Sequence, residues 1–394
     1  MTVAVGIDKI GFDTPGLVLD LVSLAKQRGD EPDKYTIGIG QDQQAVVPNY
    51  EDVVTMGVNA AQSILTDADR QDLDMLIFAT ESGVDNSKSA AVFAQQLLDL
   101  PVNIRTIELK QACYAGTYGL MQARDYVTLH PDRKVLVIAA DIARYGLATP
   151  GEVTQGAGAV AMLVAANPRL AVIHHDSVFM SQDTPDFWRP IDRSQALVDG
   201  HLSTDVYKAM FAKLWQRYQD QTGLDLNQID GWAFHLPYTK MAKKALDQVI
   251  DQADDRHQDL LKQRLAASQA YSRRVGNTYT ASVYMSLLSL LANDDSLQAG
   301  DRLGIFSYGS GAEAELFSLS LVPGFEDQVP KTAVNRLLDR RQLVSVPEYE
   351  RIFSSQLLDS TVNSRSAASP RSLRAQFWGW QDGQRLYQVP KDEL

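Results

Sequence analysis

Four side chains able to do nucleophilic or acid–base chemistry stand where strand-like runs end or helix-like runs begin: Glu81, Cys113, His235 and Asn277. Cys113 is the only cysteine in 394 residues. It follows the strand-like run Ile104–Leu109 and lies in the small-residue, helix-like stretch Ala112-Cys113-Tyr114-Ala115-Gly116-Thr117. A thiol in the first turn of a helix meets unpaired N–H groups and the positive end of the dipole, which draw its pKa below the free value of about 8.5. The same residue reads equally as an inert, buried small hydrophobe. Glu81 follows an apolar strand in Phe78-Ala79-Thr80-Glu81, and His235 follows another in Trp232-Ala233-Phe234-His235. A loop glutamate is ordinarily just solvated, and a histidine at a strand end ordinarily a satisfied structural residue. Asn277, in Gly276-Asn277-Thr278-Tyr279, precedes a helix-like run through Leu291 and reads as an N-cap or as a fourth site member.

The elements that must position these residues alternate between strand and helix. Asp72–Ala79, Ile104–Leu109 and Lys134–Ala140 read as buried strands, with helical stretches around 52–63, 87–98 and 115–130. This is the pattern of an α/β protein with buried sheets. Val206, Met210, Leu214 and Tyr218 recur at helical spacing over 203–218, with Ser203 or Thr204 as the expected cap. Phe377 to Tyr387 reads as a hairpin around Asp382-Gly383, and 360–374 as loop.

Two internal echoes point to a duplication. Gly156-Ala157-Gly158-Ala159 returns as Gly309-Ser310-Gly311-Ala312, an offset of 309 − 156 = 153, and Asp74–Phe78 returns as Asp230–Phe234, an offset of 230 − 74 = 156. Two similar halves are expected, 1–167 and 168–394, divided at Asn167-Pro168. Glu81 and His235 then follow matching strands. Asn277 lies 277 − 113 = 164 residues after Cys113, so the helix it precedes is the expected partner of the cysteine helix.

Composition narrows the function classes. A formal net charge of −12 disfavours nucleic-acid binding through a broad basic face. One cysteine excludes an intramolecular disulfide and a cysteine zinc cage, and six scattered histidines give metal little support. No signal-like stretch follows Met1, and the apolar runs are far shorter than the ~20 residues that span a bilayer, so a cytoplasmic, globular protein is expected. The final Lys391-Asp392-Glu393-Leu394 spells a retrieval signal that is read only on secreted chains, and is taken as coincidence. Gly156-Ala157-Gly158 precedes a strand instead of opening a helix after one, which argues against a dinucleotide-binding fold.

The segment around Glu81, the run Ala112–Thr117, Phe234-His235-Leu236-Pro237, Gly276-Asn277 and Ser307-Tyr308-Gly309-Ser310-Gly311 together resemble the bacterial hydroxymethylglutaryl-CoA synthases, over nearly the whole chain. The resemblance implies a thiolase-like α/β fold, two βαβαβαββ halves in five layers ordered α-β-α-β-α, and a homodimer. It implies condensation of acetyl-CoA with acetoacetyl-CoA, on the mevalonate route to isoprenoids, with coenzyme A thioesters as substrates and neither cofactor nor metal. Cys113 would carry the acetyl group, Glu81 would be the base for enolisation, and His235 would hold the ketone oxygen, with Asn277 orienting that substrate. The Cys113 N–H and one from the Gly309-Ser310 turn would form an oxyanion hole. Tyr145, Thr154, Ser203, Pro237 and Ser310 correspond to residues lining the acyl pocket or binding product. Lys240, Lys243 and Lys244 would meet the coenzyme A phosphates, Lys240 and Lys244 sharing a helix face. A chain-initiating ketoacyl synthase is the alternative, but it decarboxylates a malonyl thioester and has no use for a base at Glu81. A scaffold protein without chemistry would have had no need of the reactive set.

Overall fold

The buried, largely β-branched run Val135–Ile138 belongs to a ten-stranded mixed sheet that organises the molecule. The computed structural model describes residues 3–193, 195–355, 364–365 and 374–389. The sheet contains β1 (Val5–Asp13), β2 (Leu73–Ala79), β3 (Arg105–Leu109), β4 (Lys134–Ile142), β5 (Ala157–Ala166), β6 (Ala171–Ile173), β7 (Val178–Ser181), β8 (Gly231–Phe234), β9 (Arg302–Gly309) and β10 (Glu313–Leu321). Its order is β8-β9-β10-β6-β1-β5-β4-β2-β3, with β7 on β10. The neighbour relations repeat: β2 lies parallel to β4 as β8 does to β9, β4 antiparallel to β5 as β9 to β10, and β5 antiparallel to β1 as β10 to β6. Among the described residues nothing takes the place of β3 in the second set.

The two sets meet edge to edge through Gly6↔Val172 and Ile7↔Ala171. A Cβ on Gly6 would stand 2.0 Å from the Ala171 carbonyl oxygen, so only glycine permits this join. The echo Asp74–Phe78 and Asp230–Phe234 falls in the matching strands β2 and β8. The glycine echo is out of register: Gly156 precedes β5, whereas Gly309 closes β9 and Gly311 lies in the turn to β10.

The expected helices form with small shifts at their ends. α1 (Val53–Gln62) starts at a capping box between Asp52 and Thr55, α2 (Ala90–Leu97) at Ser89, and α3 (Ala115–Leu129) follows Cys113 by two residues. α4 (Gly200–Thr222) begins three residues before Ser203, because the Asp199 carboxylate accepts the Leu202 N–H at 3.0 Å; neither Ser203 nor Thr204 is the cap. Its stripe Met210, Leu214 and Tyr218 is buried as the spacing requires. The helices α5 (Met241–Leu246), α6 (Asp255–Val275) and α7 (Ser282–Asn293) complete the second half. α3 packs on β4 and β5, α7 on β8 and β9, and the two helices meet where Thr117 Oγ1 and Tyr284 OH lie 2.8 Å apart. The expected partnership of these helices therefore holds.

The hairpin Gln376–Gln381/Gln384–Gln388 turns at Asp382-Gly383, both at positive φ. Arg385 ties it to the α1 cap, pairing with Asp52 at 2.5 Å while lying over Phe377 and Trp380. Most of the expected loop over 360–374, and the terminal Lys391–Leu394, lie outside the described residues. No described helix is long and apolar enough to cross a membrane.

Candidate active site

Cys113 sits between β3 and α3 on a turn that Ala112 makes in the left-handed region, at φ 42°. The end of β9 lies directly on that turn. A Cβ on Gly309 would come within 2.7 Å of the Gln111 carbonyl oxygen and of the Tyr114 nitrogen and Cβ. Tyr114 OH donates to Glu315 Oε2 at 2.6 Å, so β10 also grips the turn.

Glu81 lies two residues beyond β2, and the Cys113 thiol donates to its Oε1 at 3.3 Å. The loop is held by Asp141, a fully buried carboxylate in β4. Asp141 accepts from the Glu81 N–H and Thr80 Oγ1 at 2.9 Å each, and from Thr280 Oγ1 at 2.5 Å and its N–H at 3.1 Å. Burial first, then the Asp141 charge, raises the Glu81 carboxyl well above the ordinary carboxylate range, although Arg189 and the thiol hydrogen bond oppose the shift. The expected easy thiolate does not occur. Cys113 precedes the helix, is buried and faces two carboxylates, and burial followed by the Glu81 and Asp141 charges pushes its pKa up.

His235 follows β8, with its N–H on the Phe306 carbonyl at 2.8 Å and its own carbonyl accepting Tyr207 OH at 2.6 Å. Its ring lies near-parallel to that of Tyr308, with centroids 6.5 Å apart. Burial lowers its pKa to about 3, so the imidazole is neutral. Nδ1 is buried without a partner among the described residues.

Asn277 does not cap a long helix. Its Oδ1 accepts the Tyr279 N–H at 2.8 Å and closes a short turn, after which α7 begins at Ser282. Its Nδ2 reaches Tyr145 OH at 3.4 Å, and its N–H meets the Thr154 carbonyl at 3.1 Å. Tyr145, Phe187 and Tyr279 form a ring of edge-to-face aromatics, with centroids 5.8 to 6.1 Å apart, which with Ala143 encloses Cys113 in an apolar cluster.

Ser203 Oγ donates to Asp186 at 3.1 Å, and the same buried carboxylate accepts Tyr308 OH at 2.6 Å and the Gly311 N–H at 2.8 Å. Ser310 is thereby held between two anchored neighbours. Pro237, two residues beyond His235, is half-buried.

The lysines do not form one cationic face. α5 has only six residues; Lys243 pairs with Asp247 at 2.6 Å and Lys244 donates to Tyr238 OH at 2.9 Å. Lys240 has no side-chain partner among the described residues, and its N–H donates to the Ile39 carbonyl at 3.1 Å. It packs against Gly40, at the end of a π-helical turn over Lys34–Ile39 that leaves Ile37 exposed.

Asp141, Asp186, Phe187 and Tyr279 were not singled out from the sequence. An aspartate inside the apolar run of β4, in Ile138-Ala139-Ala140-Asp141-Ile142, was the available signal, since a buried charge needs several donors. Among the described residues no group of three or more His, Cys, Asp or Glu could hold a metal ion.

A thiol beside a carboxylate of raised pKa, a neutral imidazole and an apolar cluster around the thiol, mounted on a duplicated α/β sheet, define a condensing enzyme of the thiolase-like fold. Residues 2–169 match the family model described as hydroxymethylglutaryl-coenzyme A synthase N terminal, and residues 251–375 its C-terminal counterpart. The chain is 49% identical to the hydroxymethylglutaryl-CoA synthase of Enterococcus faecalis over 353 residues, 90% of this chain and 92% of that one. It superposes on an HMG-CoA synthase complexed with CoA with a TM-score of 0.95 at 40% identity, covering 98% of this chain and 100% of that one. On MvaS in complex with 3-hydroxy-3-methylglutaryl coenzyme A the TM-score is 0.90 at 34% identity, covering 99% and 100%. The chain belongs to the hydroxymethylglutaryl-CoA synthase family.

Proposed function

We propose that this protein condenses acetyl-CoA with acetoacetyl-CoA and water to give 3-hydroxy-3-methylglutaryl-CoA and CoA, the (S) isomer of the mevalonate route. The contact between the Cys113 thiol and the Glu81 carboxylate carries the reading, because it puts a nucleophile and a base of suitable pKa on the same acyl group. Cys113 gives up its proton as it attacks acetyl-CoA, and the departing CoA thiolate takes that proton up. Glu81 then removes a proton from the acetyl methyl of acetyl-Cys113. The resulting enolate attacks the ketone carbon of acetoacetyl-CoA, and Glu81 returns the proton to the new alkoxide. Water finally cleaves the thioester to Cys113.

Neutral His235 polarises the ketone by donating a hydrogen bond, which an imidazole with a pKa of about 3 does at any working pH. The Cys113 N–H and one from the Gly309-Ser310 turn receive the oxyanion, a donor there being worth about 3 kcal/mol of barrier. Asn277, Tyr145, Thr154, Ser203, Pro237 and Ser310 line the acyl and product positions. Lys240 and Lys244 receive the coenzyme A phosphates; Lys243 contributes less because Asp247 already neutralises it. The presence of a carboxylate base at this position disfavours a chain-initiating ketoacyl synthase.

The working form is a cytoplasmic homodimer. β3 ends the sheet with one edge unpaired among the described residues and Ile107 half-exposed, the kind of edge a second copy covers. Purified protein given both thioesters should form hydroxymethylglutaryl-CoA, and acetyl-CoA alone should leave acetyl on Cys113, both read by mass spectrometry. Acetylation without condensation would favour a condensing enzyme with another acceptor, and the absence of both acetylation and condensation would remove the enzymatic reading.

A further inference from the structure

Tyr145 and Thr154 stand on one loop, 143–156, closed at its base where the Ala143 N–H donates to the Gly156 carbonyl at 2.9 Å. The loop is laid directly on the turn that carries Asn277. The Asn277 N–H donates to the Thr154 carbonyl, its Nδ2 reaches Tyr145 OH, and a Cβ on Gly156 would stand 2.8 Å from the Asn277 nitrogen. A Cβ on Gly151 would meet the Tyr145 ring at 2.7 Å, so that ring packs on the backbone of its own loop. One loop therefore sets both the Tyr145 hydroxyl and the Asn277 turn.

A buried relay on the far side of the loop holds it in place. Gln155 Oε1 accepts the Tyr145 N–H at 2.8 Å and the Gly146 N–H at 3.1 Å, and Gln155 Nε2 donates to Tyr349 OH at 2.7 Å. Tyr349, on the helix Val346–Ser355, donates its hydroxyl to Glu152 Oε1 at 3.2 Å. Glu152 also accepts the Ala148 N–H at 2.9 Å and the Nε and Nη2 of Arg28 at 2.8 and 2.7 Å. Gln155, Glu152 and Tyr349 are all buried, so they act only through what they hold. Burial and then the Glu152 charge push the Tyr349 hydroxyl above its ordinary pKa and keep it a donor. The relay runs in one direction only, because a Gln155 amide turned over would set its NH₂ against two N–H groups.

We infer that Gln155 and Tyr349 are positioning residues for the second substrate; the inference rests on the condensation proposed above. They fix the loop backbone at Tyr145, and through Tyr145 and Thr154 they fix Asn277, which orients acetoacetyl-CoA. The nucleophile is held elsewhere. Gly309 and Glu315 fix the Cys113 turn, Asp141 fixes the Glu81 loop, and Phe187 and Tyr279 stay on the thiol when the Tyr145 backbone is released. Breaking the relay should therefore spare acetylation and reach condensation.

Tyr349→Phe removes only the hydroxyl, leaving Gln155 Nε2 buried without its acceptor and the amide free to turn. Gln155→Met keeps the length and removes the acceptor and the donor together. Rapid-quench intact-mass measurements with acetyl-CoA alone should show acetyl-Cys113 forming at the wild-type rate in both variants. With acetoacetyl-CoA varied, kcat/KM for that substrate should fall about tenfold in each. The double variant should fall no further than the worse single one, because both changes cut one relay. Ile352→Val, which removes a buried methyl from the same helix, should lower the thermal midpoint without separating the two steps. Acetylation and condensation falling together, losses that add in the double variant, or an unchanged kcat/KM in folded Tyr349→Phe would each overturn the inference. Tyr349→Phe decides it alone should Gln155→Met fail to fold. A wild-type protein that forms no hydroxymethylglutaryl-CoA would overturn the proposed function and the role of the relay with it, whereas wild-type condensation beside unaffected variants would remove the relay only.

Discussion

At the residue scale, the chemistry depends on two carboxylates in different roles. Glu81 is poised as a base by burial and by the neighbouring Asp141 carboxyl, itself pushed up by burial against the hydrogen bonds it accepts from Thr280, Thr80 and the Glu81 N–H. Glu81→Ala should still accept acetyl on Cys113, because removing this neighbouring charge lowers the thiol pKa. Condensation should fall by about 10²- to 10⁴-fold. Quenched intact-mass measurements separate the two steps, and loss of acetylation would contradict the assigned role. Asp141→Asn tests the electrostatics. Glu81 works as the carboxylate, so wild-type activity should rise with pH through its raised pKa. Removing the negative charge of Asp141 lowers that pKa, so the ascending limb should move to lower pH in the variant; an unmoved limb would mean that Asp141 acts through geometry alone. His235 contributes no limb in this range, being neutral throughout.

At the element scale, the nucleophile turn is clamped by the second half of the chain. β9 presses Gly309 against Gln111 and Tyr114, and β10 holds the Tyr114 hydroxyl through Glu315. Gly309→Ala places a methyl against backbone atoms that cannot yield without moving Cys113. We expect a stability loss of about 1–3 kcal/mol by urea denaturation. Acetylation should be impaired even in the folded fraction, as read from the acetyl-CoA burst. A variant with wild-type burst amplitude and rate would show that the turn tolerates displacement.

At the scale of the whole molecule, the proposed halves 1–167 and 168–394 share one sheet through the β1–β6 pairing. The site spans both, with Glu81 and Cys113 from one half and His235 and Asn277 from the other. Cutting at 167/168 would expose the α3–α7 contact and the sheet edge together, removing the mutual burial that each half depends on. Separately expressed halves should lack a cooperative thermal transition, and co-expression should restore both the transition and acetylation. Independent folding of either half would show that the shared sheet is dispensable.

Much of this was legible in the chain alone. Apolar runs located β2 and β4, and helical spacing α3, because their buried faces admit little else; β3 forms where expected but as a mostly exposed edge strand instead of the buried one expected, and the strand echo marked the repeat. The types and positions of Cys113, Glu81 and His235 marked them as candidates, and the resemblance of their motifs to a known family named the chemistry. Tertiary structure decided what depends on distant neighbours. The raised Cys113 pKa comes first from burial and then from carboxylates 32 and 28 residues away in sequence (113 − 81 and 141 − 113), not from its own helix. Lys243 was lost to Asp247, the cap of α4 went to Asp199, and Asn277 turned toward Tyr145. Local pattern fixes backbone periodicity and residue chemistry. Burial, charge coupling and hydrogen-bond partners arise only when remote segments meet, and these set what each reactive group can do.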